Sequence, residues 1–128
     1  MVKDERTLVA AYDDRDGVTA EFNLNMLHRL NRELEADFEP TKFRHRVLWN
    51  RVQSRIEMHL ESTCDQRVRI AAAGLDVHFA RGDRIHTENS YKFTDRTIYA
   101  LLRAAGFELE QTWTDERAWY SVTLARIR

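Results

Sequence analysis

The sequence predicts an α+β fold in which helices precede and follow a run of short antiparallel strands. In the first part of the chain, apolar residues recur every four positions, at Phe22, Met26, Leu30 and Leu34. This spacing places them on one side of a helix. Later, Ile56, Met58 and Leu60 alternate with polar residues, as a half-buried strand requires. The change of period without a linker indicates helices combined with an antiparallel sheet, in one domain or a piece of one.

Two helices are predicted before the strands. The first covers about 4–12 and leads into an acidic turn. The second begins at a cap, Asp16 or Thr19, and continues to about Ala36. Its four-residue apolar ridge is expected to bury against the rest of the protein.

A short third helix and four strands are predicted next. Pro40 favours the first turn of a helix, which is expected to extend through Leu48 and Trp49. The strands follow at 55–60, 68–70, 75–79 and 85–93. Short connections between them predict an antiparallel β-meander.

The last part of the chain predicts a helix and a β-hairpin. Thr94 is a suitable N-cap, and Gly106 is placed to end the helix. Two strands follow at 107–113 and 117–127, joined by a turn at 114–116. A hairpin alone leaves exposed edges and an uncovered apolar face, so we expect self-association through this surface.

Composition limits the classes of partner. The 128 residues include 20 basic and 21 acidic side chains, giving a net charge of -1. This balance does not favour nucleic acid or an anionic membrane surface as a partner. No apolar run is long enough to span a bilayer, and a signal peptide is not apparent. Cys64 is the only cysteine, so a reducing cytoplasmic location is expected.

A carboxylate and a hydroxyl lie two residues apart in the strand at 85–93. Alternate strand residues project to the same face, so Glu88 and Ser90 point together while Asn89 points away. An ionised carboxylate accepts hydrogen bonds, whereas a hydroxyl donates or accepts them. Such a pair can hold both nitrogens of an imidazole ring, although this spacing alone is also common on polar strand faces. The hypothesis is a histidine-like ligand.

Four stretches together resemble one family, the S-adenosylmethionine (SAM)-dependent histidine-specific Nα-methyltransferases of ergothioneine biosynthesis. They are AYDD with GVTA (11–20), FNLN through NREL (22–34), RIEMHL (55–60) and IHTENSYKF (85–93). Their order and their spread over most of the chain make the resemblance specific.

The resemblance implies how the chain is divided. Residues 1–92 resemble part of a substrate-binding domain that is inserted into a Rossmann-like methyltransferase domain. Residues 93–128 resemble the final helix and strands of the methyltransferase sheet. The family's glycine-rich SAM loop is not found, because the four glycines of the chain are isolated. The chain is therefore interpreted as lacking the SAM-binding half, as a truncated product, a subunit of a split enzyme or a fragment.

The resemblance also implies roles for five residues. Tyr12 matches the tyrosine that binds the amino-acid end of the substrate. Glu88 and Ser90 match the pair that holds the imidazole ring, and the peptide at Asn89 is expected to contribute backbone contacts. Met58 matches a residue that lines the side-chain pocket, although its alternating strand is equally typical of core packing. Neither a catalytic base nor a cofactor-binding residue is assigned.

Three alternatives remain open. The chain is a non-enzymatic histidine- or amine-binding module, a subunit that pairs with a separate SAM-binding chain, or a family member acting on a related aromatic amino acid. Glu88 with Ser90 favours imidazole over indole, because indole has one N–H and no ring acceptor. Glu57 and His59 are expected to face solvent. A metal site is not predicted, since the histidines and Cys64 lack zinc-site spacing.

Overall fold

A three-stranded antiparallel sheet lies at the centre of the molecule, with the first two helices against one of its faces and the third against the C-terminal hairpin. The computed structural model describes all 128 residues, Met1–Arg128. The helices are α1 (Glu5–Ala10), α2 (Val18–Leu34) and α3 (Asp95–Ala104), with short 3-10 turns at Pro40–Lys42 and Ala71–Ala73. The strands are β1 (Phe43–Asn50), β2 (Arg55–Ser62), β3 (Gln66–Ile70), β4 (Leu75–Phe79), β5 (Arg84–Tyr91), β6 (Phe107–Thr114) and β7 (Ser121–Ile127). The α+β class is confirmed.

The strand pairing differs from the predicted meander. The central sheet has the order β1-β2-β5, while β3 pairs only with β4 and β6 only with β7. The ends of β2 and β5 are joined where Ser62 N donates to Asp83 O at 2.8 Å and Gly82 N donates to Ser62 O at 2.9 Å. Residues 63–81 therefore leave the sheet as a separate hairpin. Alternation predicted the strands but does not specify their partners.

The predicted helix at 40–49 is wrong. Pro40 opens only a 3-10 turn, after which β1 pairs with β2 along its whole length, from Phe43 opposite Ser62 to Asn50 opposite Arg55. The inward side of β1 includes His45, whose polarity hides the period-2 pattern of the strand.

The start of α2 also differs from expectation. Neither Asp16 nor Thr19 caps it. Asp14 instead accepts hydrogen bonds from Val18 N at 2.9 Å and Thr19 N at 2.8 Å. The hydrogen bond from the Thr19 side chain, with these two backbone bonds, lowers the pKa of the Asp14 carboxyl to about 2. Gly17, in the left-handed region at φ 75°, makes the turn into the helix.

The predicted apolar ridge of α2 is buried only in part: Leu30 packs against the core, whereas Phe22, Met26 and Leu34 are exposed. Phe22 is 68% exposed, whereas Asn23 and Leu27 are buried against the sheet. Asn23 is satisfied there, since its Nδ2 donates to His45 Nδ1 at 2.9 Å and to His59 O at 3.1 Å. A hydrogen-bonded asparagine takes a core position that hydrophobicity alone does not reveal.

Two adjoining clusters form the core. The larger contains five buried residues, Leu27, Phe38, Phe43, Leu60 and Val68. The smaller contains Leu8, Ile56 and Met58, with the side chain of Tyr12 packed against them. The core thus lies between the central sheet, α1 and α2.

None of the three helices is long and apolar enough to cross a membrane.

Candidate functional site

A β-bulge sets the direction of the side chains on β5. Glu88 pairs with Met58, but the next pair is His86 with His59, so Thr87 is the extra residue. Thr87 Oγ1 donates to Met58 O at 2.9 Å. Directly paired residues share a face of the sheet, which places Glu88 on the same side as Met58.

Tyr12 reaches this face from the end of α1. Its hydroxyl lies 2.6 Å from Ser90 Oγ, although the two residues are 78 positions apart in sequence. Its carbonyl oxygen accepts a hydrogen bond from His45 Nε2 at 2.8 Å. Because that nitrogen donates, Nδ1 of the neutral ring is left to accept from Asn23. The structure therefore brings together two predicted site residues and fixes one of them from both ends.

Lys92 completes this cluster and was missed by the sequence reasoning. Its Nζ donates to Tyr12 Oη and to Ser90 Oγ, both at 2.6 Å, and lies 4.6 Å from the centre of the Tyr12 ring. The signal was available, because Lys92 follows Ser90 by two residues and therefore shares its face.

The surroundings of Tyr12 change its ionisation. Burial alone would raise the pKa of the Tyr12 phenol. The hydrogen bonds from Lys92 and Ser90, with the positive charge of Lys92, outweigh burial and hold the pKa below its ordinary value. The negative charge of Glu88 acts in the opposite direction. Tyr12 is thus electrostatically connected to both charged residues of the site.

Glu88 presents a free carboxylate. Its side chain makes no hydrogen bond or ion pair within the protein, and it borders a groove of about 170 Å³. The exposed Phe22 and Met26 of α2 and the guanidinium-bearing Arg29 line the same groove. A free carboxylate beside an aromatic and a thioether side chain is suited to accept a ring N–H.

Met58 and Asn89 take different positions. Met58 is only 3% exposed and belongs to the core cluster on which Tyr12 packs. The Asn89 side chain lies on the opposite face, where its Oδ1 is 2.8 Å from His86 Nε2. Asn89 thus points away from Glu88 and Ser90, as predicted for alternate residues. The roles of Met58 in lining a pocket and of Asn89 in backbone binding stay predictions.

The opposite face of the sheet carries a cluster of polar and charged side chains around Glu57, and the expectation that Glu57 and His59 face solvent is wrong. His59 is buried and stacks on His86 with ring centres 4.5 Å apart. Asn50, Arg55 and His59 all contact the Glu57 carboxylate, and the first two most strongly lower its pKa, to about 2. Since both oxygens of Glu57 already accept hydrogen bonds, this carboxylate serves the sheet.

Comparison with known proteins assigns the family. The family model described as "histidine-specific methyltransferase, SAM-dependent" matches residues 1–127. The chain belongs to this family. It is 47% identical over 125 residues to histidine N-alpha-methyltransferase of Mycobacterium tuberculosis (strain CDC 1551 / Oshkosh), covering 98% of this chain and 39% of that protein. The histidine N-alpha-methyltransferase of Mycolicibacterium smegmatis (strain ATCC 700084 / mc(2)155) is 46% identical with the same coverage. The chain thus spans about two-fifths of the length of these relatives.

The residues of this chain do not fit a SAM site of the Rossmann type. Such a site needs a glycine-rich turn after a parallel strand, where the backbone approaches the ligand closely. Every strand pair here is antiparallel. A Cβ added at any of the four glycines would meet no atom within 4 Å.

Proposed function

We propose that this chain is the substrate-recognition and C-terminal portion of a SAM-dependent N-methyltransferase that acts on the α-amine of L-histidine. The SAM-binding half would come from sequence outside these 128 residues or from a separate chain. Residues 1–92 would form the substrate-binding part, and residues 93–128 would add a helix and strands to a Rossmann-like sheet. We place the reaction in ergothioneine biosynthesis in the cytoplasm.

The observation that carries this proposal is the cluster of Tyr12 and Ser90 beside an unpaired Glu88. Glu88 and Ser90 project from one strand face, about 7 Å apart along the strand. The carboxylate accepts an imidazole N–H, and the Ser90 hydroxyl is suited to the second ring nitrogen. Tyr12 then lies at the amino-acid end. The family match, over nearly the whole chain, supports histidine as the ligand.

The work of these residues is binding and orientation. Transfer of a methyl group to an amine depends chiefly on holding the nucleophile in line, and well-oriented reactants gain a large rate advantage. We assign no proton transfer to this chain. Binding of the imidazole at Glu88 and of the amino-acid end at Tyr12 would hold the α-amine of the substrate in one fixed position.

The second candidate is a non-enzymatic histidine- or amine-binding module. The all-antiparallel pairing and the open glycines favour it, because the chain offers no place for SAM. The two candidates share the same histidine site. They differ in whether addition of the missing half produces methylated histidine from SAM.

Calorimetric titration of the chain with L-histidine tests the site. We expect Glu88→Ala to weaken binding about tenfold to a hundredfold, because a hydrogen bond to a charged group is lost. Glu116→Ala is the matched control, since Glu116 is an exposed carboxylate in the turn between β6 and β7. Its affinity should remain within about twofold of the original, and SAM should give no binding heat with any variant. Equal weakening by both substitutions would contradict the proposed role of Glu88.

A further inference from the structure

Lys92 is held in place by its backbone and is directed at the site. Lys92 N donates to Ser54 O at 2.7 Å, and Ser54 Oγ donates to Lys92 O at 2.8 Å. The side chain is half-buried, and its Nζ contacts both Tyr12 and Ser90. An anchored cation between two hydroxyl groups needs an explanation beyond the sheet, because neither partner carries a negative charge to balance it.

Counting donors shows what the cluster offers a ligand. The ammonium group has three N–H donors and no acceptor, so it donates to both oxygens and retains one N–H. Tyr12 and Ser90 share one hydroxyl proton across their 2.6 Å contact. The second hydroxyl proton is the one that Ser90 would donate to the ring nitrogen. The third N–H of Lys92 is then left as a charged donor, which suits an anionic oxygen group.

The adjoining cleft has the matching charge. Tyr12 and Lys92 lie on the wall of a cleft of about 580 Å³, together with Lys3, Trp119 and Tyr120. Its lining contains two lysines and no acidic residue. The carboxylate of Glu88 borders a different groove, which Arg29 also lines. Of the two, only the cleft beside Tyr12 has a net positive lining.

We propose that Lys92 binds the carboxylate of the amino-acid substrate and fixes which end of the molecule lies at Tyr12. This inference rests on the proposed function. It adds a second charged contact to substrate recognition. Glu88 selects a ring that donates a hydrogen bond, and Lys92 selects a molecule that carries a carboxylate. Amines that have the imidazole but lack the carboxylate would lose the contact with Lys92, so the site distinguishes amino acids from their decarboxylated amines.

The experiment compares L-histidine with histamine, which has the same ring and amine but no carboxylate. Calorimetry is done on the unaltered chain and on Lys92→Gln, Lys92→Arg and Lys42→Gln. Lys42 lies in the 3-10 turn at Pro40–Lys42, where it pairs with Glu39, and it does not line this cleft, so its substitution is the matched loss of a lysine charge. Thermal unfolding of each variant checks that it remains folded.

Lys92→Gln should weaken L-histidine binding about tenfold to a hundredfold while histamine binding changes less than about twofold. Lys92→Arg should retain most of the affinity for histidine, and Lys42→Gln should match the unaltered chain for both ligands. Equal losses for the two ligands, or unchanged histidine binding by Lys92→Gln, would overturn the assignment of Lys92. A chain that binds neither ligand before any substitution would overturn the proposed function itself.

Discussion

The two ends of the chain differ in how their apolar residues are covered. All twelve buried residues lie between Leu8 and Val68, in or beside the central sheet. The unit formed by α3, β6 and β7 has none, although it is as regular in secondary structure. Its large apolar side chains are substantially exposed, among them Tyr99, Leu101, Trp113, Val122, Leu124 and Ile127.

The difference shows that local sequence signals can specify a helix or a strand without providing the packing that covers its apolar face. Thr94 and Thr97 form a reciprocal capping box at the start of α3, and Gly106 ends the helix at φ 80° as predicted. These local signals are enough to specify the helix. They supply no second layer to cover the hairpin, which touches the rest of the protein at points such as Lys3 over Trp119. Such an amphipathic unit requires another surface for its stability, which is consistent with the proposal that it joins a larger sheet.

Removing apolar volume should affect the two regions unequally. Leu60 is fully buried, so Leu60→Ala should lower the free energy of unfolding by about 2–5 kcal/mol. Leu124 is 48% exposed, and Leu124→Ala should cost less than about 1 kcal/mol. Urea unfolding of both variants measures the difference. Similar losses would mean that the hairpin is packed as tightly as the central sheet.

Hydrogen exchange should show the same contrast without any substitution. Amides of β2, which pairs on both edges, should exchange about a hundredfold or more slowly than those of β6 and β7. Local opening of a two-stranded hairpin exposes little apolar surface, whereas release of β2 requires opening of the core. Mass spectrometry of the exchanged protein resolves these segments. Uniform protection along the chain would remove the distinction between the regions.

Acid should lower the stability of the central sheet more than that of the unit formed by α3, β6 and β7. Arg44 most strongly, with Arg84 and Arg46, lowers the pKa of Glu61 to about 2, from 4.5 as the ordinary value. Because the folded pKa is the lower one, the contribution of Glu61 is present above pH 4.5 and is lost as the pH falls toward 2. Glu57 acts with the same sign. Stability in urea should therefore fall across this range.

The control for this pH dependence is Glu61→Gln, which removes the titrating group. Its stability should be lower at neutral pH and should vary less between pH 4.5 and 2 than that of the unaltered chain. An unchanged slope would show that the ion pairs around Glu61 do not couple to folding.

The smallest expected effect is weak self-association through the hairpin. Both β6 and β7 have an unpaired edge, and one face carries Trp113, Val122 and Leu124. Sedimentation should detect dimers or larger species that increase with protein concentration. Leu124→Lys should shift the protein toward the monomer, because it places a charge on this face. A clean monomer at high concentration before any substitution would contradict the prediction.

Sequence patterns predicted the elements better than their arrangement. The helices α2 and α3 and the strands from β2 onward follow from local periodicity and capping residues. The strand β1 was missed because Pro40 suggested a helix and His45 occupies an inward position. The pairing of β2 with β5 depends on the departure of residues 63–81 from the sheet, which no local pattern determines.

The site, like the fold, was predictable from the sequence only where local geometry determines it. The common face of Glu88 and Ser90 follows from strand geometry, and Asn89 lies opposite as expected. The contact between Tyr12 and Ser90 joins residues 78 positions apart, so only the resemblance grouped them. Lys92 follows Ser90 by two residues, so the alternation of a strand is enough to place it on the same face, but its contact with Tyr12 depends on the fold.

The most direct test of the central claim is an amide NMR spectrum of the chain, titrated with L-histidine and then with SAM. We expect dispersed signals that shift with histidine at Tyr12, Glu88 and Ser90, around the central sheet, and no change with SAM. Shifts with SAM, or a dispersed spectrum that is indifferent to histidine, would contradict the assignment of a substrate-recognition site to this chain.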